Sequence, residues 1–269
     1  MGKKTLDEGH HPLKEWSSKF REAHQQTERS LLGMFIVSAS SLISECCATT
    51  GIDWLAADME ASPATRHDLL HIAQSLNGSS VGLFARVAQN NQQYIEAALD
   101  VGVCGVIVPK VSNASQAREV VNASYYPPLG TRGMNPIRCS GYFCNAEAYI
   151  RKANENILCI AQIETKEAVE NVKEIAAVSG ISGLFIGCGD LAADYGMPGS
   201  FSTPQMQHAI STVLEACKEF GRVPGIFAYN EELAKEYIKK GYIMVAVGNE
   251  IKFLRACIES TLSNIKKLA

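Results

Sequence analysis

Residues 161–192 read AQIETKEAVENVKEIAAVSGISGLFIGCGDLA, and the order of elements within them decides the fold. The stretch begins inside an apolar run, Leu158–Glu164 (LCIAQIE). It passes through a helix-period segment, Lys166–Val178, and returns to a second apolar run, Gly183–Gly187 (GLFIG). Both runs are near-continuously apolar, as in parallel strands covered on both faces. Each ends on polar chemistry. Gln162 and Glu164 close the first, and Asp190 follows the second in GCGDLA.

Working outward, the same alternation fills the chain. Six further strands are expected: Gly33–Val37 (GMFIV), Asp53–Asp58 (DWLAAD), Gly82–Val87 (GLFARV), Gly105–Pro109 (GVIVP), Val223–Ala228 (VPGIFA) and Ile243–Gly248 (IMVAVG). Helix-period segments lie between them at Asn91–Val101, Ser115–Ala123, Thr203–Phe220 and Glu231–Lys240. Asn113 and the Ser202-Thr203-Pro204 run supply helix starts. Eight β/α units in 269 residues predict one closed (β/α)8 barrel, a TIM barrel, rather than an open doubly wound sheet. No G-x-G-x-x-G or P-loop follows any strand, which weighs against a dinucleotide fold.

Residues 1–30 are expected as a polar N-terminal extension with an amphipathic helix near Leu13–His24, and 31–269 as the barrel. Residues 124–156 read as a long insertion opening on Tyr126-Pro127-Pro128. Glu250–Leu268 reads as an apolar-faced helix that covers the barrel or packs on another subunit. Hydrophobic residues make up 46% and charged residues 20%, ordinary for a soluble globular protein. A formal net charge of -3 argues against nucleic acid as a partner. No apolar run reaches membrane-spanning length, and the opening MGKKTLDEGHHPLKEW lacks a signal-peptide core, so a cytoplasmic protein is expected. The nine cysteines form no C-x-x-C pair and read as small hydrophobes in a reducing compartment.

Active sites of such barrels form at the C-terminal strand ends. There the sequence places Asp58 and Glu60 after the second strand, Arg86 in the third, Gln162 and Glu164 in the fifth, and Asp190 after the sixth. Asn249 and Glu250 follow the eighth. Glu164 and Asp190 are hard oxygen ligands suited to Mg2+ or Mn2+, completed by water and substrate. A 2-oxo acid chelates such a metal through its ketone and carboxylate, and the metal stabilises the enolate. Arg86 can hold the ketone oxygen as negative charge develops there. Backbone N–H groups of the Gly187–Gly189 loop can hold the carboxylate. Each signal has a bland counterpart: a helix cap, a turn, a structural ion pair. Their common position on successive strand ends favours the functional reading. His67 and His71, spaced i, i+4, read as a solvated helix face rather than a metal pair. His10, His11, His24 and His208 have no partner at ligand spacing.

The chain resembles the HpcH/HpaI aldolase family, the class II pyruvate aldolases of the phosphoenolpyruvate/pyruvate barrel superfamily, from about Leu32 to Leu262. The resemblance rests on GIDWLAADMEASP (51–63), ARVAQNN (85–91), ALDVGVCGVIVPKVSNASQAREVV (98–121), YPPLGTRG (126–133), the 161–192 stretch and GYIMVAVGNE (241–250). It implies a carbon–carbon lyase or synthase acting on pyruvate or oxaloacetate through an enolate. Glu164 and Asp190 match the metal carboxylates, and Arg86 matches the arginine on the oxo group. Gln162 matches a polar neighbour of the bound acid, Gly189 and Asp190 match the carboxylate-binding loop, and Asp58 matches the acid of an Asp–His pair. It also implies a homo-oligomer, a hexamer with exchanged C-terminal helices.

One departure bears on mechanism. Where the family reads D-G-E-H-A-P, this chain reads Asp58-Met59-Glu60-Ala61-Ser62-Pro63, so the histidine of the acid–base machinery is Ala61. Cys188 stands where proline is common. A divalent-metal aldolase is the first reading. The second is the siderophore-type citrate synthase branch, which joins oxaloacetate to acetyl-CoA without a metal, so that the metal is dispensable there. A catalytically silent 2-oxo-acid-binding protein is the third, disfavoured because Arg86, Gln162, Glu164 and Asp190 all persist.

Overall fold

A computed structural model describes residues 12–25 and 30–266. The chain opens with α1 (Pro12–Gln25), β1 (Leu31–Ile36), α2 (Ser41–Ala48), β2 (Trp54–Asp58), α3 (Arg66–Ser75), β3 (Gly82–Arg86), α4 (Gln92–Val101) and β4 (Gly105–Val108). It continues through α5 (Ala114–Ser124), α6 (Ala146–Asn156), β5 (Leu158–Ile163), α7 (Lys166–Glu170), α8 (Val172–Ala177), β6 (Gly183–Ile186) and α9 (Cys188–Asp194). It ends with α10 (Pro204–Phe220), β7 (Val223–Phe227), α11 (Glu231–Lys240), β8 (Met244–Asn249) and α12 (Glu250–Lys266). The eight strands pair in sequence order, all parallel, and β8 closes on β1. The barrel read from the sequence is therefore present, with all eight strands within three residues of their expected ends.

Local chemistry explains the element starts. Asn91, Asn113 and Thr203 cap α4, α5 and α10 through their side chains, with Pro204 in the first turn of α10. The single helix expected over Lys166–Val178 is divided at Asn171. Its side-chain amide donates to the Ser112 carbonyl at 3.0 Å, a local bond of the kind that competes with helix continuation. The expected insertion ends in α6 and is pinned by buried Arg132, which pairs with Asp100 at 2.8 Å and lies over the Tyr126 ring.

The barrel interior is filled by aromatic rings. Trp54 sits edge-on to Phe35, Phe84 and Phe185 at 6.2, 6.0 and 6.3 Å. Glycine makes the room, since a Cβ on Gly33 would fall 2.0 Å from the Trp54 ring. At the N-terminal end of the strands, α1 acts as a floor. Trp16 packs against Phe84 at 6.1 Å and donates its indole N–H to the Ser80 carbonyl, and Phe20 is equally buried. The described part of the stretch expected as a polar extension thus contributes to the core. His10 and His11 lie outside the described residues. With one end floored by α1, the open end is the C-terminal rim, where the polar residues collect.

Candidate active site

Parallel register sets the first part of the site. Asp58 and Arg86 are Cα partners across β2 and β3, so their side chains emerge together at the rim. Arg86 donates from Nε to Asp58 Oδ1 at 2.9 Å and from Nη2 to Oδ2 at 2.6 Å, a bidentate pair. Asp58 Oδ1 also accepts from the backbone N–H groups of Glu60 and Ala61, which folds the chain into a tight turn. The guanidinium rests over Phe35 at 4.9 Å, and its Nη1 lies 3.1 Å from Glu60 Oε2. Burial works against the charge on Arg86, but the bonds to Asp58 and the charges of Asp58, Glu60 and Glu164 overcome it. The pKa rises above its ordinary value. The guanidinium is held cationic with N–H donors to spare.

The second part hangs on β5 and β6. Glu164 is almost fully buried; Oε1 accepts from the Lys110 backbone N–H at 2.7 Å and Oε2 from the Gln162 side-chain amide. Lys110 adopts a left-handed φ of 55°, unusual for a side chain of its length, and this turns its N–H onto the carboxylate. The pKa of Glu164 is pushed up to about 7, first by burial and then by the nearby charges of Glu60 and Asp190, while Lys110 N–H and Arg86 oppose the rise. Burial likewise raises Glu60. Gln162 Oε1 is buried without a hydrogen-bond partner among the described residues. Gly187 must stay small, because a Cβ there would fall 2.7 Å from both Gln162 Nε2 and Glu164 Oε2. Asp190 is exposed in the first turn of α9, close enough to act on Glu60, Glu164 and Tyr229.

The rim therefore brings together Asp58, Glu60, Arg86, Gln162, Glu164, Gly189 and Asp190. Glu250 is placed elsewhere. Its carboxylate accepts from the backbone N–H groups of Val37 and Ser38 and ties the end of β1 to α12. His67 and His71 face solvent on α3, their Nε2 atoms 3.2 Å apart. A cleft of about 550 Å³ between residues 199–203 and α11 contains none of the rim carboxylates. None of the nine cysteines is in a disulfide; Cys46, Cys144 and Cys257 are exposed and the others buried, and burial raises the pKa of Cys188 to about 12. Sequence reasoning missed Tyr229, which stands at the end of β7 over Gly189. A single tyrosine after an apolar run carries no signal that separates a rim phenol from a surface one.

Do these residues fit a divalent metal? Glu164 and Asp190 form a carboxylate pair whose mutual repulsion, with Glu60, a cation would relieve. Among the described residues no three His, Cys, Asp or Glu side chains converge as a complete ligand set. Two carboxylates, with water and a chelating substrate filling the remaining positions, suit Mg2+ or Mn2+. The donor set fits.

A parallel eight-stranded barrel with an arginine and carboxylates gathered on its C-terminal rim has the build of a barrel enzyme, and its relatives place it among the carbon–carbon lyases. The chain belongs to the HpcH/HpaI aldolase/citrate lyase family, whose sequence profile matches residues 31–257. It is 37% identical over 235 residues to 2-dehydro-3,6-dideoxy-6-sulfogluconate aldolase of Pseudomonas putida, covering 87% of this chain and 92% of that one. It is 36% identical over 233 residues to 4-hydroxy-2-oxo-heptane-1,7-dioate aldolase of Escherichia coli, covering 86% and 89%. The crystal structure of an HpcH/HpaI aldolase/citrate lyase family protein from Burkholderia cenocepacia J2315 superposes with a TM-score of 0.88 at 27% identity, over 92% of this chain and 99% of that one. No helix among the described residues is long and apolar enough to cross a membrane.

Proposed function

We propose that the protein is a class II-type aldolase that adds or releases pyruvate through its enolate, with Glu164 and Asp190 as ligands of Mg2+ or Mn2+. The observation that carries this reading is the meeting of Arg86, Gln162, Glu164 and Asp190 on one rim. The metal, when bound, supplies Lewis-acid stabilisation of the enolate oxygen. Arg86 donates to the ketone oxygen and holds charge that develops there, while Asp58 fixes the guanidinium in place. Gln162 lies beside the acid, and the backbone N–H groups of Gly189 and Asp190 receive its carboxylate. No side chain at 61 is able to take the proton from the hydroxyl of the acceptor half.

The assay is pyruvate release from a 4-hydroxy-2-oxo acid with Mg2+ or Mn2+ and then with chelator. Release that chelator abolishes is expected. Ala61 favours one competing reading, condensation of oxaloacetate with acetyl-CoA; metal-independent citrate formation without pyruvate release would replace the aldolase reading with it. The same proposal places the enzyme in the cytoplasm, supported by nine cysteines of which none is in a disulfide. It also makes the enzyme a homo-oligomer. Ile251, Leu254, Ile258, Leu262 and Ile265 are exposed along α12, more apolar surface than a solvated helix carries, and a second copy of the chain is its proposed cover.

A further inference from the structure

Gly189 carries no left-handed backbone angle that would call for glycine. What excludes a side chain there is Tyr229: a Cβ on residue 189 would lie 2.4 Å from the phenol oxygen and 3.6 Å from the ring carbon bearing it. The ring has little freedom to withdraw. It stacks on Phe201 at 4.0 Å and 9°, and meets the edge of Phe227 at 4.9 Å. Its hydroxyl makes no hydrogen bond to any described residue. It faces the loop that carries Asp190, and burial, Cys188 and Asp190 raise its pKa against the opposing pull of Arg86. A fixed, neutral O–H donor thus stands unspent beside the loop, at a position left vacant of any Cβ.

We propose that Tyr229 is a substrate-contacting residue, its hydroxyl donating a hydrogen bond to the carboxylate of the bound 2-oxo acid, with Gly189 kept small to admit it. This rests on the donor site proposed above. A hydroxyl and two backbone N–H groups then share one carboxylate, and a donor to a charged acceptor is among the stronger hydrogen bonds.

The test is calorimetric titration of the Mn2+-loaded full-length protein with pyruvate and with methyl pyruvate, which lacks the anionic carboxylate. Tyr229→Phe should weaken pyruvate on the order of tenfold or more and methyl pyruvate several-fold less, because its ester carbonyl is a neutral and weaker acceptor. Gly189→Ala should lower both Tm and pyruvate affinity. Adding Tyr229→Phe to it should restore Tm, because the 2.4 Å clash disappears and the 3.6 Å contact is ordinary packing. A Tyr229→Phe protein that binds pyruvate as tightly as wild type overturns the assignment while leaving the donor site standing. A wild-type protein that does not bind pyruvate removes the donor site itself, and this contact with it.

Discussion

Two arginines in this barrel are built alike and serve different ends. Arg132 pairs with Asp100 at 2.8 Å and lies 4.6 Å over Tyr126; Arg86 pairs with Asp58 at 2.6 Å and lies 4.9 Å over Phe35. The Arg132 side chain is fully buried, and its neighbours are one aspartate and two tyrosines. Arg86 retains 15% exposure and sits among Asp58, Glu60 and Glu164, with Asp190 on the same rim. An arginine–aspartate pair on an aromatic ring is therefore a means of fixing a guanidinium, and it marks no site by itself. The site is marked by surplus carboxylates around the pair and by access from solvent.

The contrast can be broken most directly at Arg86. Arg86→Ala should lower kcat/KM for pyruvate-releasing cleavage by about 100- to 1,000-fold, the loss typical of one donor to a developing oxyanion. Steady-state kinetics with unchanged turnover would make Arg86 a second Arg132. Arg132→Ala should cost about 3 kcal/mol in a urea melt, because it strands a partly buried aspartate and empties the space over Tyr126. Its KM for the oxo acid should stay at the wild-type value; a shifted KM with an unshifted melt would reverse the comparison.

Smaller effects sharpen it. Ala61→His combined with Met59→Gly should raise retro-aldol cleavage by about 100-fold, the low end of what a positioned base contributes, by restoring a base beside the Asp58–Arg86 pair. Efficient cleavage by wild type, unimproved in the variant, would show that the chain needs no histidine there. The smallest effect is a slope in stability. The folded state holds a proton on Glu164 up to about pH 7, whereas the unfolded chain releases it near 4.5. Stability without metal should be full below that lower value and fall as pH rises through the window between them. Thermal melts should show this decline in metal-free protein and a flatter profile in Glu164→Gln. A decline of equal size in Glu164→Gln would assign it to other groups.

Much of this was legible in the chain. The eight strands announce themselves because both faces are covered, so their apolar runs do not alternate. Arg86, Glu164 and Asp190 stand out because a charge at the end of such a run has only the rim to occupy. The Asp58–Arg86 pairing was less visible, since it depends on equal register between β2 and β3. The floor helix was expected as amphipathic, but in a polar extension rather than in the core. The burial of Trp16, Phe20 and Ala23 occupies one narrow face of α1, and a polar average conceals it. Tyr229 could not be found by spacing at all. Its role depends on the missing Cβ at Gly189, forty residues earlier in the chain and in contact only once the barrel closes.

The junction of α12 with the rim has one more consequence. Lys252, in the first turn of that helix, donates through Nζ to the backbone carbonyl of Tyr229, with its charge 5.9 Å from the ring. Whatever seats α12 therefore also steadies the residue proposed to hold the substrate carboxylate. With a second copy covering α12 as proposed, self-association and ligand affinity become linked equilibria. Pyruvate should shift the dissociation of the assembly to lower protein concentration, and dilution should weaken pyruvate by the same factor.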